Sequence, residues 1–171
     1  MLRVSGDTDA GGVFRDAAAV SGSPEEGSRI VVAAALVWLT PQRVLVHRRP
    51  RDARFGAGAL ELPGGKLEPR EGPVQALARE LVEEWGPGAR CLTIGPVADV
   101  LHHVYPPPGP EVVLVVYHVN GAQLSDAAAL TPEPGFVPVA YDVAELPVAE
   151  FLAADREWVD GVRAGAVRSP F

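Results

Sequence analysis

The sequence predicts a single domain of the mixed α/β class. Three observations support this prediction: an apolar run that suits a buried strand, one strongly amphipathic helix, and further short apolar segments separated by proline- and glycine-rich turns. Of the 171 residues, 47% are hydrophobic, which is ample for one buried core. No internal repeat or linker is visible, so we expect one folded domain over residues 28–171.

Residues 1–27 differ in composition from the rest of the chain. They are rich in Gly, Ser, Asp and Ala and keep no sustained period of 2 or 3.6 residues. We therefore expect a flexible N-terminal leader, with at most a short helical turn at 14–20. The leader has no apolar run behind its early arginine and does not resemble a secretory signal.

The first predicted elements form a hairpin. Residues 30–39 suit a strand buried on both faces, although their alanines leave a helix possible. A turn at 40–42 leads to a second strand over 43–47. An irregular basic stretch at 48–58 and a short extended piece at 60–62 follow.

A loop and an amphipathic helix come next. Residues 63–72 contain several prolines and glycines and are predicted to be a loop. Pro73 suits the first helical position, because its missing N–H costs nothing there. From Val74 to Trp85 the apolar residues recur at i, i+3, i+4 and i+7, and the Gly-Pro-Gly sequence at 86–88 ends the helix.

The second half of the chain predicts three more strands and a helix. The strands are expected at 97–105 and 111–119, joined by a proline-rich turn, and at 135–139. The last helix is expected over 153–163, with its apolar side formed by Trp158, Val159 and Val162.

Charge and cysteine content narrow the function. The formal net charge is −7, which argues against binding a nucleic-acid polymer but permits a small phosphorylated ligand beside local cations or a metal. The single cysteine, Cys91, forms no intramolecular disulfide, and we expect it to be buried at a strand start. The longest apolar run is too short to span a bilayer, so we expect a cytoplasmic protein without membrane contact.

Three glutamates lie on the polar side of the predicted helix. Glu80, Glu83 and Glu84 stand at i, i+3 and i+4 and share an arc of about 100°. Arg79, four residues before Glu83, is the helix cation placed to relieve their repulsion. Such a cluster is either a solvated acidic face or a site for a hard cation, since Mg²⁺ prefers oxygen ligands.

The residues around the glutamates favour the cation site. The positions read Gly65, five residues, Glu71, seven residues, Arg79-Glu80-Leu81, one residue, Glu83-Glu84, one residue, Gly86. These eight specified positions resemble the signature of the Nudix hydrolases. The one departure is Pro87, where the family usually has an aliphatic residue that packs rather than reacts.

The resemblance implies an α/β/α sandwich with a mixed sheet. It also implies hydrolysis of a nucleoside diphosphate linked to a group X, with Mg²⁺ or Mn²⁺ as cofactor. By position, Glu80, Glu83 and Glu84 would be the catalytic, metal-holding carboxylates, joined by the backbone carbonyl of Gly64. Glu80 is the best candidate to orient or deprotonate the attacking water.

Three further positions follow from the same resemblance. Glu71 and Arg79 would form a structural ion pair that braces the loop against the helix. Relatives often supply another metal-binding glutamate before the strand at 135, and Glu133 is the candidate here, although an exposed turn residue would look the same. His102, His103 and His118 lack metal-ligand spacing and are assigned no role.

Beyond this signature, the chain from residue 29 to the last helix is similar to the MutT-like branch, the nucleotide-pool sanitisers. The residues that the resemblance assigns to the substrate are Arg48, Arg49, Lys66, Tyr105 and Asp155. Four of these five have a simpler alternative: a solvated basic loop for the two arginines, a turn start for Tyr105, and the N-cap of the last helix for Asp155. If Asp155 recognises the nucleobase, its carboxylate would accept a hydrogen bond from an exocyclic amine of that base.

The function predicted from the resemblance is a Mg²⁺-dependent pyrophosphohydrolase. It would convert a nucleoside triphosphate, ordinary or oxidised, to the monophosphate and pyrophosphate. Hydrolysis of ADP-ribose or dinucleoside polyphosphates and non-catalytic sensing of a nucleotide are the alternatives. The partner would be a small-molecule nucleotide, and a monomer and a homodimer are equally compatible with the sequence.

Overall fold

A computed structural model describes residues 29–124 and 130–171. The predicted leader, residues 1–27, lies outside this described part. The strands are β1 Arg29–Thr40, β2 Arg43–Arg48, β3 Leu60–Glu61, β4 Gly64–Lys66, β5 Thr93–Val104, β6 Glu111–Asn120 and β7 Val137–Asp142. The α-helices are α1 Pro73–Trp85 and α2 Ala153–Arg163.

The seven strands form one mixed sheet, which confirms the predicted α/β class. The central order is β3-β2-β1-β6-β5, with β4 also pairing with β1 and β7 with β2. Strands β1 and β6 run parallel from Arg29↔Glu111 to Trp38↔Asn120, and every other pairing is antiparallel. The predicted hairpin of β1 and β2 is therefore correct.

The sheet lies between the two α-helices. Alternate residues of β1 face opposite sides, so Ala34, Leu36 and Trp38 join the core with α2, whereas Ala33, Ala35 and Val37 join the core with α1. Two of the three alanines that left a helix possible in the sequence, Ala33 and Ala35, face α1, where they leave room for its large side chains, Leu77, Leu81 and Trp85.

Both α-helices have the predicted bounds, and short-range interactions explain the ends of α1. The amide of Gly72, just before Pro73, donates to Gln75 Oε1 at 2.9 Å, which satisfies a backbone donor at the start of the helix. Gly86 ends the helix at φ +80°, a conformation that favours glycine, and its amide donates back to the Val82 carbonyl.

The sequence placed several boundaries incorrectly. The predicted loop at 63–72 contains β4, whose residues pair with Val32–Ala34 of β1. Strand β5 begins four residues before the predicted position 97, and β7 lies two to three residues after the predicted 135–139. Cys91 ends a short 3-10 helix, Pro87–Cys91, and is half-buried rather than buried at a strand start. In the described part of the chain, no helix has the length and apolar character needed to cross a membrane.

Candidate active site

Strand β4 brings two glycines against the carboxylates of α1. The amide of Gly64 donates to Glu84 Oε2 at 3.0 Å. A Cβ on Gly65 would lie 2.1 Å from the carboxyl carbon of Glu80, so a side chain at this position would displace that carboxylate. A Cβ on Gly64 would lie 2.1 Å from the Ala33 carbonyl oxygen. The glycines therefore let the backbone approach both α1 and β1 closely.

Arg79 links the carboxylates on the exposed side of α1. Its Nε and Nη2 each donate to one oxygen of Glu71 at 2.9 Å, the bidentate geometry typical of arginine and carboxylate. Its Nη1 donates to Glu80 and to Glu83, both at 2.9 Å, and Nη2 also donates to the Lys66 carbonyl. The Arg79 guanidinium holds the pKa of Glu71 below its ordinary value. One cation thus joins the loop before α1 to two of the three predicted catalytic glutamates.

Glu84 differs from the other two glutamates. The helical arc predicted it on the polar face, but in the folded protein it is only 7% exposed. Burial, and secondly the charge of Glu61, raise its pKa well above the ordinary value. Of the three glutamates, Glu83 is therefore the most exposed, Glu84 is buried, and Glu80 is intermediate. Burial also raises the pKa of Glu80.

The donor set fits a divalent cation. Three carboxylates, those of Glu71, Glu80 and Glu83, pair with the guanidinium of Arg79. With Glu84, which the Gly64 amide bonds, the four carboxylates and one guanidinium have a formal charge of −3 when all are ionised. Carboxylate and carbonyl oxygens are the ligands that Mg²⁺ and Mn²⁺ prefer. The backbone of Glu133 lies beside the end of α1, because its amide donates to the Glu84 carbonyl at 2.9 Å. The residue itself is exposed.

A cleft of about 880 Å³ opens beside the two glycines, on the α2 face of the sheet. Its floor is apolar and is formed by β1 and β6, including Val32, Ala34 and Leu114. Two aromatic residues line the cleft: Phe55 is half exposed, and its ring meets that of Tyr105 edge-on at 4.8 Å. Gly64, Gly65 and Lys66 also line the cleft, so its apolar floor adjoins the carboxylates of α1. An apolar cleft with a few polar groups is typical of a site for a small ligand.

Asp155 lies in the same cleft and is 3% exposed. Its Oδ2 accepts from the Leu62 amide at 3.4 Å. The N-cap of α2 is Leu152, so the alternative of Asp155 as a helix cap is wrong. Burial, and secondly the charge of Glu61, raise the pKa of Asp155 to about 7, which allows this side chain to donate or to accept near neutral pH.

The side chains of the two predicted arginines, Arg48 and Arg49, have different partners. Arg49 lines the cleft, donates from Nη1 to Glu61 Oε2 at 2.6 Å and from Nε to the Phe55 carbonyl. Arg48 instead pairs with Glu150 and donates to the Gly58 carbonyl at 3.3 Å. Both arginines line a smaller neighbouring cavity of about 690 Å³, but Arg48 is not among the described residues that line the main cleft.

Sequence reasoning missed a buried polar network beside these residues. His47 Nδ1 accepts from Trp85 Nε1 at 3.0 Å, and His47 Nε2 lies 3.0 Å from Glu61 Oε1. Potential ligand atoms of His47, Glu61 and Glu84 lie within 4.8 Å of one another. Both ring nitrogens of His47 are already engaged, however, so we interpret the group as a hydrogen-bonded network. A glutamate between two leucines, at 60–62, was the available signal, because a charge on a buried strand requires partners.

The family model of the NUDIX domain matches residues 28–162. The chain belongs to the Nudix family. The match covers β1 to α2 and includes the glutamates of α1, so the resemblance predicted from the spacing of the signature is confirmed.

Curated relatives match over part of the chain. The chain is 37% identical over 78 residues to an 8-oxo-dGTP diphosphatase of Proteus vulgaris, covering 46% of this chain and 66% of that protein. It is 40% identical over 58 residues to an 8-oxo-dGTP diphosphatase of Escherichia coli K12, covering 34% and 44% of the two chains. These matches thus span less than two thirds of the length of each relative.

Solved structures share the Nudix fold over most of the chain. A MutT protein from Methanosarcina mazei Go1 superposes with a TM-score of 0.67 at 20% identity, covering 82% of this chain and 97% of that chain. The ORF135 protein of E. coli gives a TM-score of 0.58 at 26% identity, covering 81% and 91%. The predicted α/β/α architecture is therefore confirmed.

Proposed function

We propose that this Nudix protein is a divalent-metal-dependent pyrophosphohydrolase. It converts a nucleoside triphosphate to the monophosphate and pyrophosphate, and Mg²⁺ is the proposed ion. The observation that carries the proposal is the junction at Gly64 and Gly65, where the carboxylates of α1 meet an apolar, aromatic-lined cleft. The phosphate chain of a nucleotide requires a metal-binding surface, whereas its base requires an apolar surface to pack on. The carboxylates of α1 suit the first, and the cleft suits the second. The 8-oxo-dGTP diphosphatases among the relatives support the same substrate class.

The residues that would hold the ion are Glu80, Glu83 and Glu84, with the Gly64 carbonyl. A bound divalent ion makes water more acidic and neutralises charge on phosphate oxygens. Glu80 is proposed to orient the attacking water and accept its proton, since an ionised carboxylate oxygen is a proton acceptor. The water oxygen bonds to phosphorus, the α–β phosphoanhydride bond breaks, and pyrophosphate leaves.

The cleft is proposed to hold the nucleoside. The apolar floor and Tyr105 would pack against the base, and Asp155 would bond to its polar edge. Arg49 and Lys66 line the same cleft and would meet the phosphates. A cytoplasmic location, which the single cysteine favours, belongs to the same proposal.

The substitution Glu80→Gln tests the catalytic assignment. It keeps the shape of the side chain but removes the proton acceptor, so we expect kcat to fall by at least about 100-fold. The matched control is Glu157→Gln on the exposed side of α2, which should leave kcat unchanged. Circular dichroism should show both variants folded. A Glu80→Gln variant that retained full activity would contradict the role of Glu80.

A further inference from the structure

Glu61 joins two elements of the site through one carboxylate. His47 and Glu61 are opposite residues in the antiparallel pair of β2 and β3, so their side chains emerge on the same face of the sheet. Their partners lie on either side: Trp85 at the end of α1 donates to His47, and Arg49 in the cleft donates to Glu61 at 2.6 Å. A continuous chain of hydrogen bonds thus runs from the carboxylate helix to the cleft.

The directions of these hydrogen bonds determine that Glu61 acts as an acceptor through both of its oxygens. The indole N–H of Trp85 can only donate, so His47 Nδ1 is the acceptor and His47 Nε2 carries the ring proton. That proton is donated to Glu61 Oε1, while Oε2 accepts from Arg49. Both oxygens of Glu61 must therefore accept, which an ionised carboxylate does and an amide does not.

Of the residues in this series of hydrogen bonds, Arg49 is the one through which the series reaches the cleft. His47 is fully buried, whereas the Arg49 side chain is 28% exposed and lines the cleft. In the described part of the chain, its hydrogen bonds use Nη1 and Nε, two of the five N–H groups of a guanidinium. Donors therefore remain for phosphate oxygens while the guanidinium is held at two points.

We propose that Glu61 is a positioning residue that acts through Arg49, holding its guanidinium where the phosphates of the nucleotide bind. This inference rests on the proposed function. Fixing Arg49 before substrate arrives saves the ordering of a long side chain during binding, so Glu61 is expected to act on substrate affinity more than on the bond-breaking step.

The substitution Glu61→Gln replaces one of the two carboxylate oxygens with an NH₂ group. Glutamine offers one acceptor and one NH₂ donor, so whichever way it turns, either His47 or Arg49 faces a donor. We expect KM for dGTP to rise about tenfold, with kcat changed less than about threefold, because one charge-assisted hydrogen bond is lost outside the reacting atoms. Glu157→Gln, exposed on α2, is the control and should leave KM unchanged.

A double-mutant cycle distinguishes positioning from a structural role. If Glu61 acts through Arg49, then Arg49→Gln alone should raise KM, and adding Glu61→Gln should raise it no further. Additive effects on KM, or a loss confined to kcat, would overturn the proposal. Should Glu61→Gln fail to fold, Glu61→Asp keeps the charge but draws Arg49 back by one methylene. It too must raise KM, and an unchanged value refutes the proposal.

The same variants separate this inference from the proposed function. A wild-type protein that hydrolyses no nucleotide would contradict the function, and the inference would then be tested by calorimetric titration with dGTP in the absence of activating metal. We expect wild type to bind dGTP about tenfold more tightly than Glu61→Gln. Equal affinities would overturn the role of Glu61.

Discussion

Burial of the Asp155 carboxyl predicts a pH-dependent cost to stability that Asp155→Asn should remove. The pKa of Asp155 is raised to about 7 from an ordinary value of 3.8, which corresponds to about 4 kcal/mol as an upper limit. Because the folded-state pKa is raised, the stability linked to the protonated carboxyl is fully present below pH 3.8 and is lost as the pH rises through about 7. Asparagine carries no charge and can still accept from the Leu62 amide.

Urea unfolding at pH 5 and pH 8 measures the effect. The free energy of unfolding of Asp155→Asn, relative to wild type, should increase by roughly 2–3 kcal/mol between the two pH values. Asp160→Asn, on the exposed side of the same helix, is the control and should show no such increase. If both variants track wild type across this range, Asp155 is not protonated in the folded protein near neutral pH, and the argument from its burial fails.

Two further substitutions probe the approach of β4 to α1 and the buried network. Gly65→Ala places a Cβ 2.1 Å from the Glu80 carboxyl carbon, so kcat should fall at least tenfold while the protein stays folded. Gly161→Ala in α2, whose added Cβ would meet only Ala166 Cβ at 4.0 Å, is the control and should keep full activity. Equal activities of the two variants would show that the close approach of Gly65 to Glu80 is unimportant. Trp85→Phe removes the donor to buried His47 and should lower the free energy of unfolding by about 1–3 kcal/mol in urea titrations, whereas no loss would mean that this hydrogen bond contributes nothing.

The sequence was most informative where a periodic pattern coincided with its end signals. Helix α1 has the predicted bounds because Pro73 starts it, Gly86 ends it, and its apolar side packs on the small residues of β1. The same periodicity misplaced Glu84, because a helical arc shows which residues share a side but not what covers them. Strand β4, whose Gly64 amide bonds to Glu84, was predicted to be a loop.

Strand β4 illustrates why the rest of the site was not predictable. Gly64 and Gly65 have no strand propensity, and their pairing with β1 depends on the shape of a surface that forms only in the folded protein. The hydrogen-bond partners of Glu61 are His47 in β2 and Arg49 just after it, which precede it by 14 and 12 residues, so no local spacing reveals them. Arg48 and Arg49 are adjacent in sequence and both line the smaller cavity, yet of the two only Arg49 lines the main cleft.

The central claim is that the protein splits a nucleoside triphosphate between its α and β phosphates. The most direct test incubates the protein with ordinary dNTPs and 8-oxo-dGTP, with ADP-ribose and diadenosine polyphosphates beside them, with and without Mg²⁺, and separates the products by ion-exchange chromatography. We predict monophosphate and pyrophosphate in equal amounts from a triphosphate, only with the divalent ion, and not with Glu80→Gln. Release of orthophosphate, cleavage confined to ADP-ribose or dinucleotides, or tight binding without turnover would contradict the claim.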